Sequence, residues 1–297
     1  MKRENHLKGT LLVVIGALLW GVCGTFAQFL FNEYNFSPKW LVSIRLLISG
    51  ILLLLFSLIK KDSDLFNIWH NKTHAFKLII FSILGMLGVQ YTYFNSINAS
   101  NAATATILQY LSPVIIVIYI IIKTKKLPIL KESIAILLAL IGTFFIITKG
   151  NINSLYLSNS ALFWGISSAI TSAFYTLSPV PLLKTYSSTV VIGYGMFIGG
   201  FILSLFENPF NCTGIWTSSS LLSVIFVIIF GTLIAFTFYL SSLKYIHPTE
   251  ASILGCMEPL SAAFLSVFWL KVNFTLADFI GTFFILTTVI ILSYSKK

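Results

Sequence analysis

From Leu78 to Ile122 the chain carries no charged residue. Wound as one helix rising about 1.5 Å per residue, that run would be roughly twice as long as a ~30 Å hydrocarbon layer is thick. It must therefore fold back, and the polar string Asn95-Ser96-Ile97-Asn98-Ala99-Ser100-Asn101 is where its backbone can turn. The rest of the chain agrees with a lipid environment: 9% of residues are charged and 57% hydrophobic, with a mean hydropathy of +0.93. Soluble domains carry about 25% charge.

Apolar runs long enough to cross a bilayer tile the whole sequence. The predicted spans are 9–31, 40–59, 76–96, 102–122, 132–148, 160–182, 188–206, 220–241, 248–270 and 276–294. This is an all-α membrane protein with about ten transmembrane helices. Lys2, Arg3 and Lys8 precede the first run as they would in a signal peptide, but the run is too long for one and ends without a small-residue cleavage site. With the amino terminus inside, the inner segments hold fifteen Lys and Arg, while the outer ones hold Lys39, Lys149 and Lys271. The positive-inside rule then places both termini in the cytoplasm of a multi-pass cell-membrane protein.

The net charge of +10 does not point to nucleic acid, because the lysines sit in short loops instead of forming a stripe with interleaved aromatics. Cys23, Cys212 and Cys256 are odd in number and far apart, so they read as small packing residues. His70 and His74 have helical ligand spacing but no third ligand nearby, and no metal is expected. No phosphate-binding loop is present and no cofactor is implied.

The hexapeptide IGTFFI occurs at Ile141 to Ile146 and again at Ile280 to Ile285. Around it Gly16 aligns with Gly165, Phe26 with Tyr175, Gly85 with Gly231, Tyr93 with Tyr239, Leu111-Ser112-Pro113 with Met257-Glu258-Pro259, and Lys125 with Lys271. Residues 1–150 and 151–297 thus read as two copies of one five-helix unit sharing one bundle. An odd number of spans per copy turns the second upside down, giving an inverted-topology repeat. The loops exchange character accordingly: 60–77 and 123–131 are lysine-rich, and their counterparts 207–219 and 271–275 are not.

These features resemble the EamA family of the drug/metabolite transporter superfamily. The resemblance rests on the Arg of SIRLLISGILLL, on QYLSPVIIVI and CMEPLSAAFL with proline at matching places, and on the two closing IGTFFI segments. It covers essentially the whole chain and implies export of amino acids or related metabolites. One departure stands out: Lys125 and Lys271 occupy positions that are commonly acidic in the family.

Ionisable groups inside lipid cost about 2.5–3.5 kcal/mol on insertion scales, which directs attention to Glu258 and Arg45. Glu258 falls near mid-depth in the ninth span, and its helical neighbours Ala251, Leu254, Gly255, Ser261 and Ala262 are mostly small. It reads either as a carboxylate that takes a cationic group or a proton, or as a structural acid at the break made by Pro259. Arg45, early in the second span, is expected to snorkel to the outer surface in a structural or gating role. Its counterpart by repeat offset is Tyr194.

Further polar residues are substrate-pathway candidates: Gln28, Gln90, Tyr91, Tyr93, Asn95, Gln109, Ser112 and Tyr175. Trp20, Tyr91, Tyr93, Tyr175 and Tyr239 give the expected cavity an aromatic lining, and Pro113 and Pro259 break the helices beside it. Gly195 and Gly199 form a GxxxG motif, an intramolecular packing face or a homodimer contact. Asp278 with Thr275 is a capping box.

The expected partners are the bilayer and a small-molecule substrate, with protons as the candidate coupling ion. The expected function is a secondary transporter exporting a small metabolite, such as an amino acid or amine, by alternating access. An importer or uniporter of the same fold is the alternative. A membrane-embedded enzyme is disfavoured because the longest loop holds no nucleophile, base and acid together. A purely structural membrane protein has no need of inward polar stripes.

Overall fold

The computed structural model describes residues 2–125, 127–151, 156–211, 214–242, 245–246, 251 and 254–294. Among them every regular element is helical. Helix α1 spans Lys2–Tyr34, longer than the apolar run alone, and α2 spans Pro38–Ile59. Ser37 accepts a bond from Trp40 N and Pro38 starts the helix, where its missing N–H costs nothing. A short α3, Asp64–His70, lies between the predicted spans and has no apolar periodicity long enough to announce it.

Helix α4, Lys72–Ile80, runs through a π-helical turn at Phe81–Leu87 into α5, Gly88–Ala99. The fold-back comes where the polar string predicts it, with Asn101 Oδ1 capping Thr104 N at 2.9 Å. Helix α6, Ala102–Gln109, then breaks at Tyr110 and Leu111 before α7, Ser112–Thr124, and α8, Leu130–Thr148.

In the second half α9 spans Asn159–Leu177, α10 Val180–Leu183 and α11 Ser188–Ser204. Helix α12, Ser218–Ile228, passes through a second π turn, Ile229–Ile234, into α13, Ala235–Ser242. Helices α14, Met257–Phe268, and α15, Leu276–Tyr294, close the chain. The predicted ninth span, 248–270, lies partly outside the described residues; within them it breaks at Gly255 and Cys256, so α14 is short. Cys212 also lies outside them. Among the described residues seven helices are long and apolar enough to cross a membrane, and Ser188–Ser204, Met257–Phe268 and Leu276–Leu292 are shorter apolar helices.

The halves carry the same irregularities at matching places. Each has a π turn around the paired Gly85 and Gly231, a broken helix around Tyr110 and around Gly255, and a left-handed lysine just beyond, Lys125 (φ 54°) and Lys271 (φ 55°). A slip of one residue in the helical ladder leaves no mark on hydropathy, so neither π turn was legible beforehand.

Equivalent helices pair antiparallel across the halves. Along α8 and α15, Ala135 O meets Thr288, Gly142 meets Gly281 and Ile285, and Lys149 pairs with Asp278, so one chain position rises as the other falls. The repeated hexapeptides thereby face each other. A Cβ on Gly142 would sit 2.8 Å from Gly281 O, and one on Gly281 2.7 Å from Gly142 O. Phe145 stacks on its own counterpart Phe284, with ring centres 6.4 Å apart. Helices α2 and α11 cross likewise, Gly50 against Phe197, Gly193 against Leu54 and Gly200 against Leu47. The GxxxG of α11 packs within the molecule, Gly195 on Phe81 and Gly199 on Leu87.

Both ends of the bundle are tied between the halves. At one end Ile215 N bonds Tyr34 O (2.8 Å), Trp40 Nε1 bonds Pro209 O (2.8 Å), and Trp216 meets Phe36 and Trp40 edge to face. At the other, Ser187 donates from Oγ to Asp62 (2.6 Å) and from N to Asp64 (2.8 Å), and His74 Nδ1 meets Tyr186 OH at 2.9 Å. Thr275 donates from N and Oγ1 to Asp278, as the capping motif predicts, and the same carboxylate also holds Lys149.

Candidate functional site

Helix α1 is the hub. Around its midpoint it presents small side chains to separate helices: Gly21 touches Glu258 and Ser261 of α14, Cys23 touches Gly231 of the second π turn, and Gly24 admits the Tyr93 hydroxyl of α5. A Cβ on Gly24 would lie 2.7 Å from that hydroxyl, so this close approach requires glycine. Gly231 precedes Thr232, the hydrogen-bond partner of Arg45. Glu258 and the segment that holds Arg45 thus pack on one turn of α1, at Gly21 and Cys23.

Glu258 stands in the first turn of α14, where unpaired backbone N–H groups and the helix dipole favour a carboxylate. Tyr110, at the break between α6 and α7, donates to Gly255 O at 2.8 Å and shares that proton with Glu258 Oε2 at 3.2 Å. Each half thus supplies one side of the contact from its own broken helix. Pro113 and Pro259 lie in the first turns of α7 and α14, where proline restarts a helix without removing a ladder bond. Trp20 lies edge-on to Phe236 and tilted over Tyr239, at 5.0 Å each, with its indole N–H buried and unpaired.

Arg45 does not snorkel. It is 2% exposed and points into the bundle, where Nε donates to Thr232 Oγ1 at 2.9 Å and the guanidinium lies 4.5 Å over the Phe94 ring. The π turn makes this possible. Thr232 sends its own proton five residues back to Val227 O (2.8 Å), which leaves its oxygen lone pairs toward Arg45. Burying an ion costs several kcal/mol. A face-on aromatic ring returns about 2 kcal/mol when desolvated and a charged hydrogen bond about 1.5–3 kcal/mol, which is why the arginine is tolerated at depth.

The remaining candidates divide. Tyr93 donates to Thr106 Oγ1 (2.7 Å), whose own proton goes to Ala102 O (2.8 Å). Gln90 is buried one turn before Tyr93 and Phe94 on the same helix face and makes no protein hydrogen bond. Gln109 and Ser112 flank the Tyr110 break, half-buried. Gln28 is committed elsewhere: its side-chain oxygen accepts from Ala102 N at 2.8 Å and caps α6. Tyr91 and Asn95 lie toward α9, Tyr91 edge-on to Trp164 and Asn95 bonded to Tyr91 O. Tyr175 stacks on Phe81.

Tyr110 and Thr232 are the residues that sequence reasoning missed. The signal for Tyr110 was present in QYLSP, since the residues just before a Ser-Pro restart, here Tyr110 and Leu111, sit at a helix break. A groove of about 490 Å³ lies elsewhere, lined by Phe26, Phe29, Phe226, Phe230 and Trp269 with Ser219 and Ser223, and no pathway candidate borders it.

Paired, antiparallel sets of apolar helices around an inward arginine and a carboxylate at a helix break define a polytopic membrane protein of the two-repeat transporter type. The chain belongs to the EamA-like transporter family of the drug/metabolite transporter superfamily, whose profile matches it at residues 7–148 and 159–294. It is 42% identical over 290 residues to the uncharacterized inner membrane transporter YicL of Salmonella typhimurium, covering 98% of this chain and 96% of that one. The uncharacterized transporter YwfM of Bacillus subtilis is 23% identical, over 97% of this chain and 94% of that protein. A crystal structure of a protein 17% identical in sequence shares the fold, with a TM-score of 0.62 over 95% of each chain.

Proposed function

We propose that the protein is a secondary carrier of ten membrane-crossing helices, in which residues 1–150 and 151–297 form inverted five-helix halves. The two halves rock about the level of Glu258 and export a small metabolite, such as an amino acid or amine. Both termini lie in the cytoplasm, and the carrier does no covalent chemistry. The antiparallel pairing of α8 with α15 and of α2 with α11 supports the inversion, and the family supports transport.

The observation that carries the reading is the Glu258 carboxylate, met at a helix break by Tyr110 from the opposite half. A carboxylate between two broken helices is placed to exchange a proton or an ammonium group as either break is exposed. The test is flux in reconstituted vesicles screened across amino acids and amines, with and without a pH gradient. Glu258→Gln should abolish the response to the gradient while leaving folded yield near wild type. Full pH-dependent flux in that variant would remove the carboxylate from the coupling mechanism, and absence of flux for every solute would remove the carrier reading itself.

A further inference from the structure

We propose that the Arg45 guanidinium is an anion subsite of this carrier, taking the carboxylate of the transported molecule on its two terminal nitrogens. The proposal rests on the carrier reading above and adds a recognition residue to it. Arg45 is 2% exposed, yet only Nε is bonded, to Thr232. Nη1 and Nη2 have no protein acceptor, and no carboxylate among the described residues pairs with the charge. Nor do those nitrogens belong with the fully buried, unpartnered side-chain atoms, as the indole nitrogen of Trp20 does. A guanidinium held by Nε and by an aromatic face, with its outer fork free, presents the parallel donors that a carboxylate accepts bidentately.

Two further observations favour a ligand over a scaffold role. The repeat does not need the charge. The counterpart Tyr194 fills the same place in α11 with a neutral hydroxyl bonded to Leu65 O at 2.8 Å. The carrier therefore holds a single such cation, as a site for a single substrate requires. Glu258 and Thr232, which holds Arg45, also belong to segments packed on one turn of α1, at Gly21 and Cys23. A molecule with a carboxylate at one end and an ammonium at the other would neutralise both. Gln90, one turn from Phe94 and unbonded, adds an amide toward the carboxylate end.

The chain has two arginines, Arg3 and Arg45, so Arg3→Lys leaves Arg45 as the sole target for phenylglyoxal. In vesicles containing the full chain, phenylglyoxal should modify Arg45, as read by peptide mass. A mixture of α-amino acids should slow the modification several-fold, and their decarboxylated amines at equal concentration should not. Absence of modification, absence of protection by the acids, or equal protection by the amines would each overturn the subsite. Arg45→Lys and Arg45→Gln extend the test to flux. Both should fold, as judged by monodisperse elution, and should lower transport of amino acids at least tenfold relative to their amides. Unchanged acid-to-amide ratios in both variants would remove the subsite and leave the carrier standing. Protected Arg45 in a protein that moves no solute would do the reverse.

Discussion

Tyr110 has one proton and two acceptors, Gly255 O and Glu258 Oε2, so its hydroxyl holds the start of α14 and the carboxylate in a single contact. Removing it should leave both acceptors short of a donor, at a cost of about 1–3 kcal/mol for groups buried from water. Tyr110→Phe should therefore lower the melting temperature modestly while reducing flux several-fold. A wild-type rate at unchanged stability would show that the contact is incidental. At this scale the sequence told part of the story. Glu258 was visible because a carboxylate in an apolar run has no other excuse, but the inward course of Arg45 was not. Its partners Thr232 and Phe94 come from distant helices, and nothing within α2 distinguishes an arginine that reaches the surface from one that finds a hydroxyl inside.

Helices were legible where hydropathy and capping agree, as at the Asn101 fold-back and the start of α15 at Leu276. They were illegible where the ladder changes pitch or a short helix lies between spans, as in the π turns and α3. Contacts between helices depend on close approach. In α2 and α11 glycines let backbones touch, and Gly50 lies directly on the backbone of Phe197. A branched side chain there forces the helices apart, and overpacking of this kind costs about 1–3 kcal/mol. Gly50→Val should accordingly reduce folded yield and melting temperature in detergent, measured by size-exclusion elution and thermal unfolding. Val at exposed Ile51, on the lipid side of the same helix, should leave both unchanged.

Across the whole molecule, ties join the halves at both ends, and a carrier that rocks must release one set at a time. The end held by Ser187 on Asp62 and Asp64 offers a direct test, because the Ser187 and Asp62 side chains meet there, Oγ to Oδ2 at 2.6 Å. The double variant Asp62→Cys with Ser187→Cys should be bridged by a short bis-methanethiosulfonate, and flux should fall to background and return with reductant. Continued flux in the bridged protein would show that this end does not open during transport.

The mating of the two IGTFFI copies has a bearing on how such a chain can change over generations. Because Gly142 and Phe145 touch Gly281 and Phe284, a new side chain in one copy meets the old one in its twin, and a bulky replacement at either glycine has no neutral neighbour to absorb it. Arg45 and Tyr194 also lie in helices that pack together, but their side chains bond to different partners, Thr232 and Leu65, so neither limits the other. A side chain that touches its own counterpart is held to it, and one that reaches elsewhere is not.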